Sequence, residues 1–303
     1  MSKTISLLFT RRLGVGAMTT KRTVVTGILL IVLLPSCAGP PPASTSEVLA
    51  IVHDRVPTDP TDDDWKEVPF HTAELLLQDM VEPRLLGIST PIVQVRAVTD
   101  GERIAFKLAW QDTTKNDLPG ASRFTDACAV QLPRGSESDV PAPQMGEEGR
   151  TVEITYWRAS WQASADGRRD DIASLYPGAS VDHYPFEAPP LEPGSKTQQA
   201  LAAEYAPARS LGNAMEGRRE RLVQDLLAEG PGSLAPMPEQ LSEGRGRHMG
   251  EAWEVVIVRP LPAGLGPGKR SQVAFAVWDG EREEVGARKM RSGWIPLHVE
   301  GEG

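Results

Sequence analysis

Cysteine is scarce in this sequence of 303 residues, which contains Cys37, Cys128 and no third cysteine. Two cysteines exclude a disulfide framework, a CxxCH motif for covalent haem, and a cysteine-ligated zinc or iron–sulfur site. Any cofactor must therefore be held by other residue types. Cys128 lies in an apolar segment with no neighbouring base, which is typical of a small core residue and not of a nucleophile.

The common catalytic and nucleotide-binding motifs are also missing. The sequence has no GxSxG nucleophile elbow, no GxxxxGK[ST] phosphate loop and no GxGxxG motif after a strand. Its five histidines show no HxxxH or HxH spacing, so no local pattern predicts a zinc site or a bis-histidine haem. Hydrolase chemistry and nucleotide chemistry therefore have little support.

Positive charge is in deficit. Lys and Arg total 32 against 41 Asp and Glu, a formal net charge of -9. This balance disfavours a generally basic surface, and we expect no nucleic-acid partner. The 28 glycines and 26 prolines are many for a helical protein, so they favour short elements joined by turns.

Long hydrophobic runs are missing except near the N-terminus, where Val24 to Leu34 follows Lys21 and Arg22. The run is shorter than the roughly 20 residues of a membrane-spanning helix and is typical of a signal-peptide core. We therefore predict a signal peptide over 1–36, a Pro-rich linker over 37–47, and a periplasmic or otherwise extracytoplasmic protein. Without the five basic residues of the signal, 27 basic and 41 acidic side chains remain, a net charge of -14.

The apolar run ends in Leu34-Pro35-Ser36-Cys37, which resembles the lipobox of bacterial lipoproteins. In a lipobox the cysteine becomes the lipid-carrying first residue after cleavage, and the Pro-rich linker that follows favours this interpretation. We therefore expect lipidation at Cys37 and membrane attachment through a lipid anchor only. Pro35 is unusual in a lipobox, so a simple secretory signal with an incidental cysteine stays open. Arg11 and Arg12 also leave a twin-arginine signal open.

Alternating hydrophobicity predicts strands in the rest of the chain. The clearest hairpin joins Ile92 to Val98 and Ile104 to Trp110 through the turn Asp100-Gly101. Other strands are expected where β-branched and aromatic residues cluster, at Val48 to Val52, Asp126 to Leu132, Val152 to Trp161, Trp253 to Arg259, Val273 to Trp278 and Trp294 to Val299. The pattern predicts a mainly β protein, an immunoglobulin-like β-sandwich over 48–300.

The segment 163–250 differs from its surroundings, because it is polar and rich in Gly, Pro, Arg and Glu. It contains one clear helix candidate, Gln198 to Tyr205, and a weaker one, Glu216 to Ala228. We interpret the segment as a long, partly helical insertion in the sandwich. A separate second domain is the alternative, although the segment has few clustered apolar residues with which to form a core.

Five sequence blocks occur in an order that is distinctive as a set: Ile104 to Asp112, Phe124 to Pro133, Pro143 to Gly146, Trp253 to Leu261, and Ala274 to Gly280 with Lys289 and Trp294. Together they resemble the haem b-binding gamma subunit of ethylbenzene dehydrogenase and dimethyl sulfide dehydrogenase. Similar subunits accompany selenate, chlorate and some nitrate reductases. The resemblance extends from Val48 to Val299, and its specificity lies in the order of the blocks.

The resemblance implies a β-sandwich that holds one non-covalent haem b, ligated by the methionine of a Met-Gly turn and by a lysine. Those positions are Met145 and Lys289, and the competing ligands in another register are Met290 and Met249. Arg288 cannot ligate iron because a guanidinium has no lone pair to donate, and it is expected to pair with a haem propionate. With both axial positions filled by protein, the iron would have no open site for substrate.

The resemblance therefore implies an electron-transfer subunit with no catalytic residues of its own. Its implied partners are an iron–sulfur subunit and a molybdopterin catalytic subunit, with a c-type cytochrome or a quinone-linked carrier outside the complex. Two alternatives stay open: a haem-binding lipoprotein that acts alone, and a carbohydrate-binding module. The second is considered because exported β-sandwiches with exposed tryptophans often bind sugars.

Overall fold

The computed structural model describes residues 44–134, 140–168, 176–178, 191–192, 194–205 and 221–301. The chain divides into two units, Met1–Pro40 and Pro41–Gly303, and every described residue belongs to the second. The predicted signal peptide and Cys37 lie outside the described residues. Within these ranges, no helix has both the length and the apolar character needed to span a membrane.

The hairpin predicted from alternation forms the centre of the first of two sheets. Its strands, β5 (Ile92–Thr99) and β6 (Arg103–Gln111), pair antiparallel with Thr99 opposite Ile104. The other strands of this sheet are β1 (Ser44–Thr45), β2 (Val48–Val52), β3 (Phe70–Glu74), β11 (Glu243–His248), β12 (Ala252–Pro260) and β15 (Ile295–Val299). On one side of the hairpin, β12 pairs with β6, and β11 pairs with β12. On the other side, β2 pairs with β5, and β15 pairs with β2, both in parallel. Strand β3 pairs with the first half of β5, and β1 lies beside β3.

The second sheet supplies the surface on which the candidate site is built. Its strands are β4 (Leu76–Leu77), β7 (Ala127–Pro133), β8 (Val152–Arg158), β9 (Val223–Ala228), β10 (Ala235–Pro236), β13 (Arg270–Trp278) and β14 (Met290–Arg291). The order is β10-β9-β8-β7-β13, and β14 pairs with the end of β13 and with β4. The first half of β13 pairs with β15 and its second half with β7, so this strand belongs to both sheets.

Large side chains from the two sheets interlock in the core between them. Phe106 of β6 meets Phe275 of β13 edge-on, with ring centroids 6.3 Å apart. Trp157 of β8 meets Trp253 of β12 at 5.1 Å, and all four rings are buried. Burial of such aromatic surface is a major part of the stabilisation of a core. The predicted mainly β, sandwich architecture is therefore confirmed.

One glycine of the edge strand β11 makes room for this packing. A Cβ atom at Gly246 would lie 2.2 Å from the ring of Trp157, a distance that side chains do not tolerate. The backbone N–H of Gly246 donates to Oε1 of Gln162 at 2.9 Å. The polar, glycine-containing sequence of β11 therefore reflects close approach of backbone to an indole, and not a loop.

The segment predicted as an insertion contributes strands to the sandwich. Strands β9, β10 and β11 all fall within 163–250, and β9 and β11 pair with β8 and β12. The helix predicted over 216–228 is wrong in its described part, because Val223–Ala228 is the strand β9. Almost every residue of β9 is buried, so the strand shows no alternating pattern by which it could be recognised.

Two α-helices lie among the described residues. A strand was expected over 152–161, but β8 ends at Arg158. The first helix, α1 (Ala159–Ala165), begins at the next residue. The second, α2 (Lys196–Tyr205), confirms the helix predicted over 198–205. Short 3₁₀ helices occur at Asp63–Lys66 and Gly280–Arg282.

Candidate functional site

The outward face of the second sheet carries small side chains where the inward face carries large ones. On β7 and β13 the residues that point away from the core include Ala129, Ala274 and Ala276. A cavity of about 980 Å³ lies against this face. The volume is at the upper end of the roughly 300–1,000 Å³ of cofactor and ligand pockets. Larger apolar groups complete the lining: Ile154, Tyr156, Leu226, Trp278.

A tight turn brings Met145 to the wall of this cavity. Met145 and Gly146 both have positive φ angles, 68° and 80°. The Gly146 N–H donates to the carbonyl of Ala142 at 2.9 Å, and the Met145 carbonyl accepts from Gly230 at 2.8 Å. A Cβ at position 146 would lie 2.7 Å from one backbone oxygen and 2.9 Å from another. The backbone therefore requires glycine at position 146, and it holds the partly buried Met145 in a conformation that L side chains rarely adopt.

Lys289 reaches the same cavity from the segment that leads into β14. Its Nζ lies 3.9 Å from Sδ of Met145 and 5.1 Å from the ring centroid of Trp278. Burial, together with the positive charge of nearby Arg291, lowers the pKa of Lys289 to about 8. A lysine in such surroundings loses its proton far more readily than one in water, and the neutral amine is a metal ligand.

The two competing methionines lie elsewhere. Met290 is fully buried in the core between the sheets, where it lies opposite Val277 on the neighbouring strand β13. Met249 is 55 % exposed beside the turn from β11 to β12, and it lines a different, polar depression next to His248. Of the predicted candidates, the structure brings together Met145 and Lys289 alone.

Basic side chains lie around the cavity. Arg123, Arg158 and Arg291 all contribute to its lining. Burial lowers the pKa of Arg291, and its Nε is buried without a hydrogen-bond partner in the described part of the chain. Sequence reasoning missed these residues. Alternation could have indicated Arg291, because it is two residues from Lys289 and shares its face of the strand.

Arg288, expected to pair with a propionate, is not among the residues that line the cavity, but it lies next to one that is. Its guanidinium carbon is 5.6 Å from the ring centroid of Phe124, which itself lines the cavity. Its Nε is buried and has no hydrogen-bond partner among the described residues. The structure therefore leaves Arg288 with a free donor, although three other arginines line the cavity directly.

These residues fit a haem. The pocket is large and mainly apolar, as a porphyrin requires, and its lining includes three arginines that could pair with two propionates. Sδ of Met145 and Nζ of Lys289 lie 3.9 Å apart at the cavity, so both donors could engage one group bound there. Thioether and amine donors are both chemically suited to haem iron.

The tryptophans do not form a sugar-binding platform. The fractional exposure of six of them is 8 % or less: Trp65, Trp110, Trp157, Trp161, Trp253, Trp278. The seventh, Trp294, is partly buried and donates from Nε1 to the carbonyl of Pro141 at 2.6 Å. Carbohydrate modules stack sugars on exposed aromatic faces, and the described indoles have other neighbours.

Comparison with known proteins identifies relatives over most of the chain. A family model described as ethylbenzene dehydrogenase matches residues 62–290. A Haloferax mediterranei protein provisionally assigned as a respiratory nitrate reductase heme subunit is 23 % identical over 274 residues, covering 88 % of this chain and 77 % of its own. The chlorate reductase subunit gamma of Ideonella dechloratans is 24 % identical over 242 residues, covering 77 % of this chain and 76 % of its own.

Among solved structures, a family 9 carbohydrate binding module from Caldicellulosiruptor kristjanssonii in complex with glucose aligns with a TM-score of 0.39 and 8 % identity. The alignment covers 84 % of this chain and 97 % of that one. We draw no conclusion about function from a likeness this distant.

Proposed function

Because the chain belongs to the ethylbenzene dehydrogenase family, we propose that it is an exported haem b electron-transfer subunit of a molybdenum oxidoreductase complex. In this proposal it relays electrons between an iron–sulfur subunit and an external carrier, a c-type cytochrome or a quinone-linked carrier. One relative is named as the heme subunit of a nitrate reductase, and the other as the gamma subunit of a chlorate reductase. These names support a non-catalytic role within a larger assembly.

The observation that carries the proposal is the pairing of Met145 and Lys289. The two residues are 144 positions apart in the chain, yet Sδ and Nζ lie 3.9 Å apart at the wall of one large cavity. In this proposal Met145 and Lys289 are the residues that would hold the haem iron. When bound, the haem would supply a reversible one-electron couple.

The thioether of Met145 and the amine of Lys289 would set the reduction potential of the bound haem. A thioether is a soft, weak donor that favours the ferrous state and raises the reduction potential. The burial that lowers the pKa of Lys289 reduces the cost of presenting a neutral amine. If both residues held the iron, it would offer no position to a substrate, which favours electron transfer over catalysis.

Arginines hold the acidic edge of the haem in this proposal. Arg291 and Arg158 are partly buried cations in the cavity lining, and Arg123 is more exposed. A guanidinium binds a carboxylate through two parallel hydrogen bonds, which fixes orientation as well as charge. Arg288 stays a candidate for a propionate, with its unpaired Nε as the available donor.

Exposed apolar side chains near the cavity support a partner subunit. Met80, Leu234 and Val285 line the cavity and are 65 %, 48 % and 49 % exposed. Large apolar groups that stay in water next to a functional pocket are typical of a surface that another protein covers. We assign this surface to the iron–sulfur subunit, with the molybdopterin catalytic subunit beyond it.

Export and anchoring remain part of the proposal and rest on sequence. The signal peptide over 1–36 and lipidation at Cys37 would attach the mature protein to a membrane through its lipid, in the periplasm or an equivalent compartment. A mass measurement on the protein purified from membranes tests this directly. We expect cleavage before Cys37 and acyl chains attached to it. An unmodified Cys37 would indicate export by a simple secretory signal without lipidation.

The decisive experiment is visible absorption of the purified protein, oxidised and dithionite-reduced, beside Met145→Ala and Lys289→Ala. A low-spin b-type spectrum in the wild type, turned high-spin or lost in both variants, is the expected result. Met249→Ala and Lys269→Ala change the same residue types at exposed positions and should leave the spectrum unchanged. Failure of the folded wild type to bind added haem would overturn the proposal.

A further inference from the structure

Three aspartates from three strand ends converge at one place in the sandwich. Asp112 follows β6, Asp126 precedes β7 and Asp279 follows β13. One oxygen from each lies within 4.8 Å of the oxygens of the other two. Asp112 is 8 % exposed and Asp126 is fully buried. None of the residues proposed to hold haem belongs to this cluster, and it needs a separate explanation.

Asp126 is held in place by neutral donors. Its Oδ2 accepts from the Asn116 N–H at 2.7 Å and from Nε1 of Trp253 at 2.9 Å, while Oδ1 accepts from the Gly280 N–H at 2.9 Å. These bonds orient the carboxylate, but they bring no positive charge to it. A buried carboxylate without a cation is costly unless a proton or a metal ion neutralises it.

Asp112 has an oxygen with no partner. Its Oδ1 accepts from the N–H and the hydroxyl of Thr114, at 2.9 and 3.0 Å. Its Oδ2 is buried and forms no hydrogen bond with any described residue. Buried carboxylate oxygens nearly always have a partner, so an unpaired one inside an acidic cluster indicates a missing ligand.

The electrostatics of the cluster agree with the geometry. Burial, reinforced by the charge of Asp112, raises the pKa of Asp126 to about 7. Burial likewise raises the pKa values of Asp112 and Asp279. Three carboxylates that resist ionisation together form a site in which a divalent cation would be strongly favoured.

We propose that Asp112, Asp126 and Asp279 bind a calcium ion. Calcium takes six to eight oxygen ligands at about 2.3–2.6 Å, so opposite ligands lie up to about 5 Å apart, as the cluster allows. Magnesium requires shorter bonds of about 2.0–2.1 Å and retains several waters, and zinc prefers nitrogen and sulfur.

A further oxygen stands next to the cluster. Oδ1 of Asn116 lies 2.8 Å from the Thr114 hydroxyl, whose single proton is shared between this oxygen and Oδ1 of Asp112 at 3.0 Å. Positions 112, 114 and 116 thus present oxygens at alternate residues of one loop. The ion would tie the end of β6 in the first sheet to β7 and β13 in the second, and Asp279 begins the segment that leads to Lys289.

The test uses the full-length protein after treatment with EDTA, and it does not depend on haem. Adding calcium to about 100 times its dissociation constant is expected to raise the melting temperature by about 5 °C. Terbium, a calcium probe, is expected to luminesce on tryptophan excitation, because Trp253 contacts Asp126. Excess calcium should displace it, and magnesium should not at the same concentration.

Asp112→Asn, which keeps the shape of the side chain, is expected to weaken calcium binding at least tenfold. Asp63→Asn, at an exposed position, is the control and should bind calcium as the wild type does. If the EDTA-treated wild type shows neither a thermal shift nor terbium luminescence, the cluster is neutralised by protons and the proposal is wrong. Wild-type affinity in Asp112→Asn would also overturn it.

Discussion

Lys289 and Met290 are neighbours in the chain and lie on opposite faces of the same sheet. The Nζ of Lys289 lies 3.9 Å from Sδ of Met145 in the cavity, whereas Met290 is fully buried in the core, opposite Val277 of β13. The alternation of a strand therefore separates two chemically plausible ligands by the full thickness of the sheet.

This separation predicts different outcomes at the two positions. Met290→Leu conserves volume in the core and should change the free energy of unfolding by less than about 1.5 kcal/mol. It should leave the spectrum of the reduced, haem-loaded protein unchanged, while Lys289→Ala loses the low-spin bands. Absorption spectra and urea unfolding of both variants check this. Loss of low-spin bands in Met290→Leu would show that the register is shifted by one residue.

The Met-Gly turn predicts a sharp difference between two glycines. Gly146→Ala places a Cβ 2.7 Å from the carbonyl oxygen of Arg150 at a φ of 80°. Gly149→Ala places a Cβ at a similar φ, 75°, but with no other atom within 4 Å. Gly149→Ala should cost about 1 kcal/mol for backbone strain alone, and Gly146→Ala roughly 2 to 4 kcal/mol.

Denaturant unfolding measures these costs, and haem titration measures their effect on the site. Gly146→Ala should also reduce haem affinity, because the turn carries Met145. Equal effects in the two variants would mean that the close contact has no role in positioning the thioether.

The small residues of β13 predict that the cavity can be filled without unfolding the protein. Ala276→Leu projects from the outward face into the cavity, so it should weaken haem binding at least tenfold. The melting temperature of the haem-free variant should stay within about 3 °C of wild type, since the core is untouched. Ala263→Leu, at an exposed position, is the control. Undiminished haem uptake by Ala276→Leu would place the cofactor elsewhere.

A charged network on the first sheet predicts a specific acid sensitivity. The hydrogen-bonded guanidinium of Arg247, 2.8 Å away, holds the pKa of Asp59 well below its ordinary value, and Arg245 lies at 3.0 Å. Because the folded pKa is lowered, this stabilisation is present above about pH 4 and is lost as the pH falls further.

Asp59→Asn should therefore be less stable than wild type by roughly 0.5 to 1 kcal/mol near neutral pH, with a smaller difference near pH 2. Urea unfolding at both pH values checks the sign. High salt should reduce the neutral-pH difference, since the pairs are partly exposed. A difference that grows on acidification would contradict this assignment.

Most strands were predictable from sequence, and β9 and β11 were not. The hairpin of β5 and β6 follows from alternation and from the turn at Gly101, and it is found within one residue of the expected bounds. Strand β9 is covered on both faces, which removes the alternation, and β11 is polar because Gly246 lies against Trp157. Both strands owe their structure to neighbours that are distant in sequence.

Ordered local blocks in the sequence are enough to indicate the family, the mainly β architecture, and Met145 and Lys289 as candidate ligands. Only the folded chain shows that these two side chains meet, that Met290 faces away, and that Arg291 joins them. The convergence of Asp112, Asp126 and Asp279 is likewise visible only in the fold. Local periodicity specifies which face of a strand a residue occupies, whereas proximity between residues far apart in the chain depends on which strands pair and how the sheets pack.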